Sequence, residues 1–150
     1  MIYGFGNNEP IIELMAQIVI KSRRNGERVL RPAGLTFSQF GLLLALKTRQ
    51  GINQKELAAA LDSDTTTIMV VCDSLEKKGY LKRSASPTDR RANHLEITES
   101  GKTILETAHP LIYEVFKPLL SAISEKEAEV ILPVMERLTR LLVEMEKGEK

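Results

Sequence analysis

The chain contains no tryptophan, a single cysteine, three tyrosines and four phenylalanines among its 150 residues. One cysteine cannot close an internal disulfide, which excludes the small secreted folds stapled by bridges. With aromatics at 5%, a packed interior has to be built from aliphatic side chains. No apolar run approaches the roughly 18 residues of a membrane span, and the N-terminus lacks the charged, apolar and small-residue order of a secretory signal. The expectation is a cytoplasmic protein with no membrane partner. Neither sign of charge dominates, since 21 Lys and Arg oppose 20 Asp and Glu, a net charge of +1. Any preference for a polyanion must therefore be local. His94 and His109 form no close spacing with Cys72 or with each other, so no metal site is expected. No Gly-rich phosphate cradle and no Ser, His and Asp set stands out, so no cofactor, catalytic residue or enzymatic activity is expected. Cys72 lies among Ile68, Val71 and Leu75, the setting of an inert buried thiol.

What remains is ordinary globular material, 43% apolar and 27% charged, at about the length of one domain. Ile11, Ile12, Leu14, Met15, Ile18 and Val19 recur at helical spacing after Pro10. A basic connector follows (Lys21, Arg23, Arg24, Arg28, Arg31), broken by Asn25-Gly26 and Pro32-Ala33-Gly34. Thr36-x-x-Gln39 and Asn53-x-x-Glu56 are capping boxes opening two short helices. A third helix is predicted from about Thr65 to Lys78, with Gly79 in the left-handed position that ends it. Two extended segments, Leu81–Arg83 and Asn93–Thr98, flank turn chemistry at Ser84 to Asp89. Two long helices close the chain. Their seams are Leu105, Ala108, Ile112, Val115, Leu119 and Ala122, then Ile131, Met135, Leu138, Leu142 and Met145. The second opens with the capping box Ser124-x-x-Glu127, and Pro110, Pro118 and Pro133 predict kinks or a break.

This order describes a mainly α fold with a small β-hairpin. It is a winged helix-turn-helix over 35–100, flanked by dimerisation helices at 8–32 and 101–150, all within one domain. Unburied seams at both ends favour a symmetric dimer. In helix-turn-helix readers the start of the second helix enters the major groove. Here that segment carries Thr65, Thr66, Thr67, Met69 and Val70. Hydroxyls can donate to phosphate or touch base edges, and methyls can pack on thymine; equally, one Thr is a cap partner and the others solvated. No Arg or Lys precedes Lys77 on this helix, so the common arginine fork on guanine is missing. Either phosphates and the wing supply most of the affinity, or the preferred site is rich in A·T. Between Lys77 and Arg91 six cations (Lys77, Lys78, Lys82, Arg83, Arg90 and Arg91) oppose one acid, Asp89. This is the local basic patch that phosphate contact requires, or else a solvated hairpin.

Asp89-Arg90-Arg91-Ala92, with Leu95-Glu96-Ile97-Thr98 and Gly101, resembles the wing signature of the MarR (multiple antibiotic resistance regulator) transcription factors. Leu35-Thr36-Phe37-Ser38-Gln39-Phe40 resembles the start of that family's second helix. Leu57-Ala58-x-x-Leu61 and Asp73-x-Leu75-Glu76-x-x-Gly79-Tyr80-Leu81 resemble its helix-turn-helix. The resemblance implies a sequence-specific DNA-binding regulator, usually a repressor, whose homodimer binds a pseudo-palindromic operator in double-stranded DNA. It implies that Arg91 enters the minor groove with Asp89 holding it, while Arg90 sits nearer phosphate. It also implies release by a small aromatic or anionic effector, in a cleft drawing on Met15, Val19, Phe40, Ile112 and Phe116. The same residues suit a plain core. Arg23, Arg24 and Arg28 could meet an anionic ligand or face solvent. The rival reading is a winged-helix interaction or scaffold protein that has lost specific DNA binding, and the cation-poor reading helix is its support.

Overall fold

The computed structural model describes residues 9–49, 51–85 and 93–148. The chain runs α1 (Glu9–Leu30), a 3-10 turn (Arg31–Ala33), α2 (Phe37–Thr48), β1 (Ile52–Asn53), α3 (Gln54–Ala60) and α4 (Thr65–Lys77). It continues with β2 (Leu81–Ala85), β3 (Asn93–Ile97), α5 (Glu99–Ser121) and α6 (Glu125–Gly148). Two compact units divide it, Met1–Val115 and Phe116–Lys150.

The helix starts follow from the capping boxes. Thr36 Oγ1 accepts from Gln39 N at 3.1 Å while Thr36 N donates to Gln39 Oε1 at 3.1 Å. Asn53 and Glu56 make the same reciprocal pair at 2.9 Å each. In the second unit Ser124 and Glu127 do likewise, with Ser124 N donating to Glu127 Oε2 at 2.8 Å. These bonds satisfy amides that a helix leaves orphaned in its first turn. Gly79 takes φ +74°, the left-handed conformation expected after α4.

The core of the first unit is aliphatic, as the scarcity of aromatics requires. Its largest wholly buried side chains are nine leucines and Cys72. They come from α1, α2, α3, α4, the sheet and α5, so one interior fixes the helix-turn-helix and the ribbon together. Ile68, Cys72 and Leu75 are the buried stripe of α4.

Three expectations need correction. The Asn25-Gly26 pair does not interrupt the first helix, because α1 continues to Leu30. Gly26 is there for space: a Cβ would come within 2.5 Å of the Phe37 ring. The ribbon is not a two-stranded hairpin alone. Ile52 and Asn53 pair antiparallel with Leu95 and His94, giving a three-stranded sheet in the order β1-β3-β2. A two-residue strand whose second residue is also a helix cap leaves almost no alternation to read. Finally, of the kinks or a break expected at Pro110, Pro118 and Pro133, the break does not occur, since α5 and α6 are continuous across them. A proline deletes one donor, and the remaining ladder carries the helix across it.

Candidate nucleic-acid interface

Asp64 caps α4. Its Oδ1 accepts from Thr67 N at 2.8 Å and its Oδ2 from Thr67 Oγ1 at 2.6 Å. The hydroxyl bond to Thr67, followed by the backbone bond, lowers the Asp64 carboxyl below its ordinary value. The cap engages the third threonine of the run. Thr65 and Thr66 stay exposed beside it, and Met69 and Val70 stand 45% and 62% exposed one turn on. Ile68, Cys72 and Leu75 fix the helix by its opposite stripe, so this polar-and-methyl face is the one α4 leaves uncovered. Burial pushes the Cys72 thiol up, against the pull of Arg83.

The basic patch divides on inspection. Lys78 Nζ donates to Gly34 O at 2.6 Å and to Gln39 Oε1 at 2.9 Å, fastening the end of α4 to the α1–α2 connector. Lys82 Nζ lies 2.9 Å from Glu96 Oε2, and Ser84 Oγ donates to Glu96 Oε1 at 2.6 Å. Those bonds from Lys82 and Ser84 hold the Glu96 carboxyl below its usual range. Arg83 bonds Asp73 and Glu76 on α4. Burial opposes its charge, yet the two carboxylates outweigh it and raise the Arg83 pKa. Asp89, Arg90 and Arg91 lie outside the described residues, between β2 and β3 in the sequence.

The residues expected at an effector cleft are placed diversely. Phe40 is buried, Ile112 packs on the same core, Met15 is half-buried and Val19 is 67% exposed. Phe116, half-buried, falls in the second unit. Arg24 and Arg28 line an open cleft of about 530 Å³ with Asn25, Glu27, Arg31 and Pro32. Among the described residues no group of three or more His, Cys, Asp or Glu could hold a metal ion.

Sequence reading missed Asp64, Gln39 and Glu96 as organising residues. Asp64 carried a usable signal, since Asp is among the strongest N-cap residues and stands three before Thr67. Gln39 was visible only as half of a capping box. Its second partner, Ser74, whose Oγ accepts from Gln39 Nε2 at 2.9 Å, is 35 residues away.

Comparison with known proteins places this geometry among its relatives. The sequence pattern described as "MarR family" matches residues 33–92. The transcriptional repressor MprA of Escherichia coli K12 is 31% identical over 85% of this chain and 73% of its own length. A crystal structure of a mutant MarR from E. coli complexed with operator DNA superposes with TM-score 0.79 at 25% identity, covering 87% of this chain and 96% of that one. The S. aureus MepR–DNA complex gives TM-score 0.83 at 24% identity, covering 88% and 97%.

Proposed function

The chain belongs to the MarR family of transcriptional regulators, and on that footing we propose that two copies of it bind one pseudo-palindromic operator in double-stranded DNA and repress transcription there. The observation that carries this reading is the exposed leading face of α4. A cap on Asp64 holds the helix start while Thr65, Thr66, Met69 and Val70 remain uncovered. Hydroxyls at a helix start suit phosphate oxygens, and the methyl-bearing side chains suit thymine methyl groups, so this face favours A·T-rich sequence. The 35–100 segment is the DNA-binding lobe in this reading, and Arg91, held by Asp89, serves the minor groove, where narrow A·T tracts attract arginine. Arg90 and Lys82 supply phosphate contact.

The flanking segments 8–32 and 101–150 join the two copies. Ile11, Ile12, Leu14 and Ile18 on α1, and Val130, Ile131, Leu141 and Leu142 on α6, are each more than 40% exposed in the single chain. Aliphatic surface of that extent supports burial against a second copy. A small effector releasing DNA belongs to the same reading. Its anionic part is offered Arg24 and Arg28 at their cleft, and its apolar part Met15, Val19, Phe40 and Ile112 of the first unit.

The test is a titration of genomic fragments at several salt concentrations. Affinity should fall linearly with salt on logarithmic axes, because neutralised phosphates release counterions. Selected fragments should outcompete unrelated DNA of equal mass. A dimer that selects no fragment, or whose binding ignores salt, overturns the reading in favour of a scaffold role.

A further inference from the structure

β2 carries two cations that alternation sends to opposite faces. Lys82 shares a face with Ser84 and meets Glu96, its register partner on β3. Arg83 takes the other face, with buried Leu81 beside it and buried Leu95 opposite. Its side chain is only 20% exposed. One guanidinium nitrogen donates to Asp73 Oδ1 at 2.5 Å and the other to Glu76 Oε2. Asp73 and Glu76 are three apart on α4, hence on one helix face. A single planar fork therefore grips two points of the helix from the strand.

We propose, building on the DNA-binding reading above, that Arg83 is a positioning residue and not a phosphate contact. It locks β2 to α4, so that this strand and the Thr65–Val70 face of the helix meet one duplex in a fixed relation. Two recognition surfaces held rigidly avoid the ordering cost that loosely joined ones incur on binding. The placement of Asp73 and Glu76 follows. Two carboxylates on a DNA-binding lobe repel phosphate, and their use here is to hold the arginine. Lysine cannot replace it, because an ammonium on a flexible stem lacks the preorganised fork.

The two roles give opposite signs, which makes them separable. The full chain is titrated with a duplex retained by the wild type, at several salt concentrations. Arg83→Lys and the double variant Asp73→Asn/Glu76→Gln are run beside it, with thermal melting to confirm that each is folded. Positioning predicts that both variants lose affinity by about tenfold, the scale of re-ordering a few side chains, with the salt slope unchanged. A phosphate contact predicts that Arg83→Lys binds as the wild type does, and that Arg83→Ala lowers the slope. Plain electrostatics predicts that removing two negative charges tightens binding. Either of those results overturns the proposal while the DNA reading stands. A wild type that retains no duplex overturns the DNA reading, and the proposal with it.

Discussion

Lys78 Nζ donates to Gln39 Oε1 at 2.9 Å, although the two residues are 39 positions apart. Gln39 is only 5% exposed, and its amide serves three elements at once. The oxygen also accepts from Thr36 N at 3.1 Å, and the nitrogen donates to Ser74 Oγ at 2.9 Å. One buried amide thus joins the start of α2, the body of α4 and the turn after it. Replacement by leucine would leave these partners unmatched inside the lobe. Gln39→Leu should cost about 2–3 kcal/mol, the range for stranding buried polar groups, read from denaturant unfolding. A loss within experimental error would mean that water or rearrangement replaces the amide.

Glycines in this chain separate by what surrounds them. At Gly101 a Cβ would collide with the Tyr80 carbonyl oxygen and come 2.8 Å from Ile97 Cγ1. Thr98 explains the closeness: its hydroxyl donates to Gly79 O at 2.6 Å and accepts from Gly101 N at 3.0 Å, cinching α5 against the turn after α4. Gly101→Ala should therefore destabilise by about 2–3 kcal/mol, because backbone has to move. Gly41, inside α2, has nothing within 4 Å of such a Cβ. Gly41→Ala should stabilise by about 0.5–1 kcal/mol through helix propensity. Melting of the two single variants checks the opposite signs.

Acid should loosen the reading helix at its start. The Asp64 carboxyl lies below its ordinary value of 3.8 because Thr67 bonds the charged form through its hydroxyl and its amide. A group depressed by folding contributes stability above its unfolded pKa and loses it as pH falls through the folded one. Glu127 and Glu96, both lowered from 4.5, add to the same limb through Ser124 and through Lys82 with Ser84. Stability should hold near neutrality and decline as pH drops below these values. Asp64→Asn keeps an acceptor at the cap but cannot titrate. Its melting temperature should fall less steeply over the acid range than that of the wild type, and parallel curves would remove Asp64 from this account.

Much of this organisation is legible in the sequence because it is local. The pairs Thr36 with Gln39, Asn53 with Glu56 and Ser124 with Glu127 declare helix starts within four residues, and Gly79 declares an end. The aliphatic stripe of α4 is equally plain. What escapes is whatever depends on distant partners. The Asn25-Gly26 pair has turn composition, and only the approach of Phe37 explains why glycine sits inside a helix. Arg83 reads as one more cation in a basic run, and only the packing of β2 on α4 gives it two carboxylates. Lys78 reads the same way until Gly34 and Gln39 are brought to it. Charge counting finds the patch and cannot say which cations are free to meet phosphate.

Arg91 should behave oppositely to Arg83. In the proposed function it enters the minor groove, so Arg91→Ala should weaken operator binding by about 1–3 kcal/mol and reduce the salt slope. In that reading its side chain serves DNA and not the fold, so the melting temperature should not change. Fluorescence anisotropy at two salt concentrations measures both quantities. Unchanged affinity for the selected fragment would withdraw the minor-groove role and leave α4 as the reader.

The dimer can be tested through charge placed on aliphatic surface. Ile18 on α1 is 59% exposed and Leu142 on α6 is 60% exposed in the single chain. A stable interface removes about 800 Å² from each partner, and aliphatic side chains at its centre are where a buried charge is least tolerated. Ile18→Glu and Leu142→Glu should each shift sedimentation equilibrium toward monomer. Operator affinity should fall in parallel, since half of a pseudo-palindrome then binds alone. Val70→Glu is the control, because Val70 is comparably exposed but sits on the reading face of α4. That variant should remain dimeric and lose DNA binding through repulsion from phosphate. Should Val70→Glu dissociate the protein while Ile18→Glu and Leu142→Glu leave it intact, the surfaces assigned to the second copy and to DNA would have to be exchanged.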